Sequence, residues 1–99
     1  MHARMGTFQV PPDAVNEMTR LQREVIVPAA REAAGFKGIL SLVNRDSGKV
    51  ISLTLWDSEE ALRSSEERAG AFRAEAAFTS QGEVVGVERF EVDVFEMAQ

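Results

Sequence analysis

A chain of 99 residues, 44% hydrophobic and 27% charged, has the make-up of one folded domain, residues 1–99, and excludes a disordered tail or a fibrous repeat. Its 11 Lys and Arg are outnumbered by 16 Asp and Glu and lie scattered, so the net charge of −5 argues against nucleic acid as a partner. There is no cysteine for a disulfide or a thiolate metal site, no apolar run near the roughly 20 residues of a membrane span, and no apolar stretch of signal-peptide type at the N-terminus, which makes the cytoplasm the expected setting.

Residues 1–10 read as a strand that stops at Pro11-Pro12, because proline cannot continue a ladder. Pro12-Asp13 then opens a helix. Val15, Met18, Leu21 and Val25 recur at spacings of three and four and predict one apolar stripe. Pro28 falls inside this pattern and is expected to kink or restart the helix. Gly35 is a natural C-cap.

After Gly38 the period changes to two. Residues 39–44 and 49–56 predict strands, joined by the turn residues Arg45-Asp46-Ser47-Gly48 into a hairpin. Asp57-Ser58-Glu59-Glu60 predicts a helix start, with Ser58 able to cap and Asp57 with Glu60 fitting a capping box. That helix should run to about Ala69, bend near Gly70 and resume over 71–79. Ser80-Gln81-Gly82 is a loop, and 84–97 reads as a long last strand rich in Val and Phe.

The order β-α-β-β-α-β is the ferredoxin-like pattern: α+β, an antiparallel four-stranded sheet with both helices on one face. The strand patterns carry a further consequence. Ile51, Leu53 and Leu55 line one face of the third strand, and Ser52, Thr54 and Trp56 the other. The second and last strands are apolar on both faces. Helices on one side leave the other side as a large exposed patch, and two sheets packed face to face in a symmetric homodimer would cover it.

Gly35-Phe36-Lys37-Gly38, the hairpin at 44–49 and the run Ile51-Ser52-Leu53-Thr54-Leu55-Trp56-Asp57-Ser58-Glu59-Glu60-Ala61-Leu62 together resemble the antibiotic biosynthesis monooxygenase family of the dimeric α+β barrel superfamily. The resemblance implies a homodimeric barrel with a pocket in each subunit between its sheet and helices. It also implies one of two chemistries, oxygenation of electron-rich aromatic compounds by O₂ without metal or flavin, or degradation of haem.

The haem-degrading members share an Asn on the first strand and a Trp and a His ten apart in the second helical region. Here 1–10 holds no Asn, the helical segments after Ser58 hold neither, and the single His is His2, expected to be a solvated terminal residue. The oxygenases carry a Trp at the end of the third strand, matched by Trp56. Their Asn four residues earlier is Ser52 here, and their Tyr six residues later is Leu62. The resemblance thus implies a function with no cofactor and no metal, with a small aromatic molecule as partner.

The expected pocket residues are Trp56, Ser52, Thr54, Phe72 and Phe78. Arg4 or Arg89 is available to neutralise an anionic ring oxygen, and Ile51, Leu53 and Leu55 would form the dimer interface. Glu59-Glu60 and Glu66-Glu67 read as solvated helix charges. The alternative function is a non-catalytic dimeric module that binds a small ligand or serves only as a structural partner.

Overall fold

The computed structural model describes residues 1–98. Strand β1 (His2–Gln9) leads through a short 3₁₀ turn into helix α1 (Val15–Leu21), a π-helical turn (Gln22–Ile26) and helix α2 (Val27–Arg31). The hairpin β2 (Phe36–Asn44) and β3 (Lys49–Trp56) follows, then helices α3 (Glu59–Ser64) and α4 (Glu66–Thr79), and strand β4 (Glu83–Glu91). The sheet is antiparallel throughout, in the order β2-β3-β1-β4, and the helices cover one face of it. This is the ferredoxin-like arrangement. Among the described residues no helix is long and apolar enough to cross a membrane.

The apolar stripe holds for Val15, Met18 and Leu21, which are buried against Phe8 and Val50 of the sheet and Ala76 and Ala77 of α4. Val25 departs from it and is exposed. Pro28 supplies the reason. It has no N–H to donate, and its ring crowds the carbonyl one turn back. The chain relieves this with a wide turn in which Val27 N–H donates to the Gln22 carbonyl. The extra residue per turn rotates the helix. Gln22 and Ile26 therefore face inward where Leu21 and Val25 set the expected phase.

Other boundaries also differ from expectation. Strand β2 begins at Phe36 rather than Ile39, because Phe36 already pairs with Trp56. Ser58 caps α3 by accepting from Ala61 N–H at 3.1 Å, and with Ala at the box position no Asp57–Glu60 box forms. The helix breaks at Ser65 rather than Gly70: the Ser65 hydroxyl donates to the Leu62 carbonyl at 2.7 Å and competes with the helical ladder, while Gly70 stays inside α4. The last strand ends at Glu91, which pairs with His2, and not at residue 97; one further backbone bond, from Val92 N–H to the Met1 carbonyl at 2.9 Å, follows it. That pairing also holds His2, so it is a half-buried strand residue and not a frayed terminal one.

Register assigns each strand residue to a face. Arg4, Gly6 and Phe8 lie opposite Thr54, Ser52 and Val50 and face the helices. The outer face carries Met5, Ile51, Leu53 and Leu55, with Leu40, Leu42 and Phe90 on the flanking strands. No helix covers it, and Leu40 and Leu42 are 52% and 51% exposed.

Candidate functional site

Sheet and helices pack solidly at one end of their shared layer and leave a cavity of about 90 Å³ at the other. A single water needs about 10–15 Å³ of such space, so there is room for several waters or one small ring system. The hollow has a local cause. Gly6 on the sheet and Ala29, Ala30, Ala33 and Ala69 on the helices present almost no side chain where larger residues would meet. Phe8, Ile26, Phe72 and Trp56 supply the apolar wall.

Trp56 is buried, 3% exposed. Its ring stands edge-on to Phe36 with centroids 5.6 Å apart, and its Nε1–H donates to Thr54 Oγ1 at 3.0 Å. The Thr54 hydroxyl proton stays available as a donor, beside Ser52 on the same strand face. The Arg4 guanidinium lies 5.5 Å from the Trp56 ring centroid, a cation–π distance.

Arg4 is as buried as Trp56. Its two terminal nitrogens donate to Ser65 Oγ at 2.9 and 2.6 Å, and Glu66 stands 3.8 Å away. The helix break at Ser65 thus places a hydroxyl over a buried cation. Glu66 has a second partner: Arg89 donates to its two oxygens at 2.6 and 2.7 Å. Arg4 and Arg89 sit directly opposite across β1 and β4, where like charges repel. Glu66 between them offsets that repulsion. The Arg89 hydrogen bonds hold the Glu66 carboxyl below its ordinary pKa, and Arg4 adds to the effect. Burial pulls the Arg4 and Arg73 guanidinium groups the other way, below their ordinary values.

Of the residues expected in the pocket, Trp56, Ser52, Thr54 and Phe72 line this cavity. Phe78 does not. It is 87% exposed on the outer side of α4, and the reason is helical phase: six residues at about 100° each cannot place it on the same face as Phe72. Of the two arginines offered for an anionic oxygen, Arg4 lines the cavity, while Arg89 is half-exposed and held by Glu66.

Sequence reasoning missed Gln22, Ser65, Arg68 and Arg73, which also line it. Gln22 is 4% exposed, and neither its Nε2 nor its Oε1 has a hydrogen-bond partner. A signal for Gln22 existed in Pro28, which forces the π turn that rotates it inward. No group of three His, Cys, Asp or Glu stands close enough to hold a metal among the described residues. The lining residues include no carboxylate and no histidine.

The profile of the family described as "Antibiotic biosynthesis monooxygenase" matches residues 1–78. An uncharacterised Mycobacterium tuberculosis protein, Rv2558, is 35% identical over 82 residues, which cover 83% of this chain and 35% of that protein. The chain therefore spans about a third of the length of this relative. Among solved structures, a monooxygenase from the gene ActVA-Orf6 of Streptomyces coelicolor, in complex with the ligand nanaomycin D, superposes with a TM-score of 0.75 at 19% identity over 99% of this chain and 92% of that one. SnoaB from Streptomyces nogalater, a cofactor-independent oxygenase, gives 0.66 at 15% identity over 95% and 94%. At these identities the two structures share the fold.

Proposed function

The chain belongs to the antibiotic biosynthesis monooxygenase family, and from that premise we propose that it is a cofactor-independent monooxygenase acting on a small aromatic compound. The observation that carries the reading is the cavity. It has apolar walls for a ring, and Ser52, Thr54 and Arg4 converge beside Trp56. In this reading the substrate supplies the electrons. An anthrone-like CH₂ flanked by electron-rich rings loses a proton to water, since no side-chain base lines the cavity. The resulting carbanion gives one electron to O₂, and carbon and superoxide combine to a hydroperoxide. Loss of water leaves a carbonyl. The balance is CH₂ plus O₂ giving C=O plus H₂O. The protein's part is to orient the ring, exclude bulk water and stabilise the oxyanion with hydroxyl and guanidinium donors.

The same lack of a side-chain base favours a second reading, a binding module without catalysis. Oxygen uptake decides between them. With an anthrone or a naphthoquinol as substrate and a chelator present, the enzyme reading expects uptake of one O₂ per substrate, well above autoxidation and reduced by Trp56→Ala. No rate above autoxidation across such a panel establishes the binding module.

We also propose that the working unit is a homodimer joined through the outer sheet face. The apolar residues Met5, Leu40, Leu42, Ile51, Leu53, Leu55 and Phe90 support this, because a symmetric pairing of this face would bury them twice over. An interface of at least about 1,000 Å² is expected. Leu53→Asp should yield monomers by sedimentation, because it places an unpaired carboxylate in that contact twice. Ser52→Asp, on the helix side, should leave the dimer intact. The reverse pattern refutes the face assignment.

A further inference from the structure

The cavity's charge runs against that of the whole chain. The protein carries a net charge of −5, yet the residues lining the cavity include Arg4, Arg68 and Arg73 and no Asp or Glu. Two of these cations are already engaged. Arg4 gives one hydrogen bond from each terminal nitrogen to Ser65, keeps a second N–H on each, and faces the Trp56 ring. Arg68 lies over the Phe72 ring, 5.6 Å from its centroid.

Arg73 differs from both. Among the described residues it makes no hydrogen bond and no ion pair, and the Glu66 charge acts on it only through space. Glu66, the neighbouring acid, is held by Arg89. The Arg73 stem reaches the sheet at Gly6, another lining residue, where an added Cβ would sit in van der Waals contact, 3.4 Å from Arg73 Cδ. The side chain then bends back so that its Nη2 lies beside Gly70 of the same helix, 3.6 Å from where a Cβ would sit, at the edge of the cavity that Arg73 lines.

A second unpartnered group shares the wall. The buried Gln22 amide offers two N–H donors on Nε2 and an acceptor, Oε1, and neither atom has a protein partner. A buried amide with nothing to bind costs free energy in the empty protein that a ligand can recover. Two demands are thus set on the occupant. It must bring a negative charge to Arg73, and it must bring an acceptor and a donor to Gln22. The remaining wall of Phe8, Ile26, Phe72, Trp56 and alanines asks for a flat apolar body.

We infer that the cavity selects an aromatic carboxylate bearing a ring hydroxyl, with Arg73 as the residue that reads the carboxylate and Gln22 as the one that reads the adjoining pair of oxygens. The inference rests on the reading of the cavity as a substrate site and names the class of molecule that site prefers. Arg–carboxylate hydrogen bonds are among the strong ones in a site shielded from water, and an Arg paired in this way no longer bears the full cost of its burial.

The experiment is calorimetric titration of the intact protein with hydroxynaphthoate, which is anionic at neutral pH, and with naphthol, which is neutral and of nearly the same shape. Hydroxynaphthoate should bind more tightly by about tenfold or better. Arg73→Met keeps an apolar stem and removes the charge. It should cancel that preference while leaving naphthol affinity unchanged, and Arg73→Lys should restore part of it. A purely structural role for Arg73 would instead weaken both ligands together, and this result overturns the assignment. Equal affinity of the wild-type protein for the two probes overturns the carboxylate preference and leaves the substrate-site reading standing. If neither probe binds, the substrate-site reading fails and the inference falls with it.

Discussion

At one end of the layer between sheet and helices, Phe8, Val15, Met18, Leu21, Val50, Ala76 and Ala77 close on one another and exclude solvent. At the other end, the same strands and the same helices hold Arg4, Gly6, Ser52, Thr54, Trp56 and Gln22 around a cavity. The backbone continues through both ends, so the contrast lies in side chains. The filled end pairs large apolar residues with small ones. The hollow end sets glycine and alanines opposite one another and adds polar groups that are buried all the same. Packing holds the first end together. A chain of ions and hydrogen bonds, Arg89–Glu66 and Arg4–Ser65, holds the second.

The sharpest way to break this contrast is to hollow the filled end. Met18 has no exposed surface, and Met18→Ala should cost about 2–5 kcal/mol of stability, because the site is surrounded on all sides and cannot collapse. Urea unfolding followed by circular dichroism measures it. A loss below about 1 kcal/mol would mean that the layer is not held chiefly by that end.

A smaller effect is expected from the ion network at the hollow end. Glu66→Gln leaves Arg4 and Arg89 facing each other without a counter-charge and should cost about 1–3 kcal/mol. The pH dependence has a fixed sign. The folded-state pKa of Glu66 is held below its ordinary value near 4.5, so its contribution is fully present above that value and is lost as pH falls through the depressed one. The difference in stability between wild type and Glu66→Gln should therefore shrink on acidification below pH 4.5. A difference that stays constant into strong acid would show that Glu66 is not ion-paired in solution.

The smallest effect on stability, with the largest on binding, comes from filling the hollow end. Ala30→Leu places apolar volume in the cavity and should change stability by less than about 1 kcal/mol. It should also abolish the response of Trp56 fluorescence to an added aromatic ligand. Trp56 is the only tryptophan, so the signal comes from this wall alone. An unchanged response would place the ligand elsewhere.

Much of this was legible in the residues. Period two put Ser52, Thr54 and Trp56 on one strand face and Ile51, Leu53 and Leu55 on the other, because alternation is a property of the extended backbone itself. Ser58 marked its helix start, since a hydroxyl at that point accepts a backbone N–H wherever the helix later packs. The stripe of Val15, Met18 and Leu21 was equally local, and it held as far as the helix stayed regular.

The site required the tertiary structure. Gln22 reaches the cavity only through the π turn, and Phe78 misses it by helical phase. Ser65 breaks its helix where Gly70 had been the expected point, and this sets a hydroxyl over Arg4. The meeting of Arg73 with Gly6 joins a helix near one end of the chain to a strand near the other, and nothing in either neighbourhood announces it. Local patterns follow from covalent geometry and are written along the chain. A cavity is the space that distant side chains fail to fill, and it exists only once the layers have closed on each other.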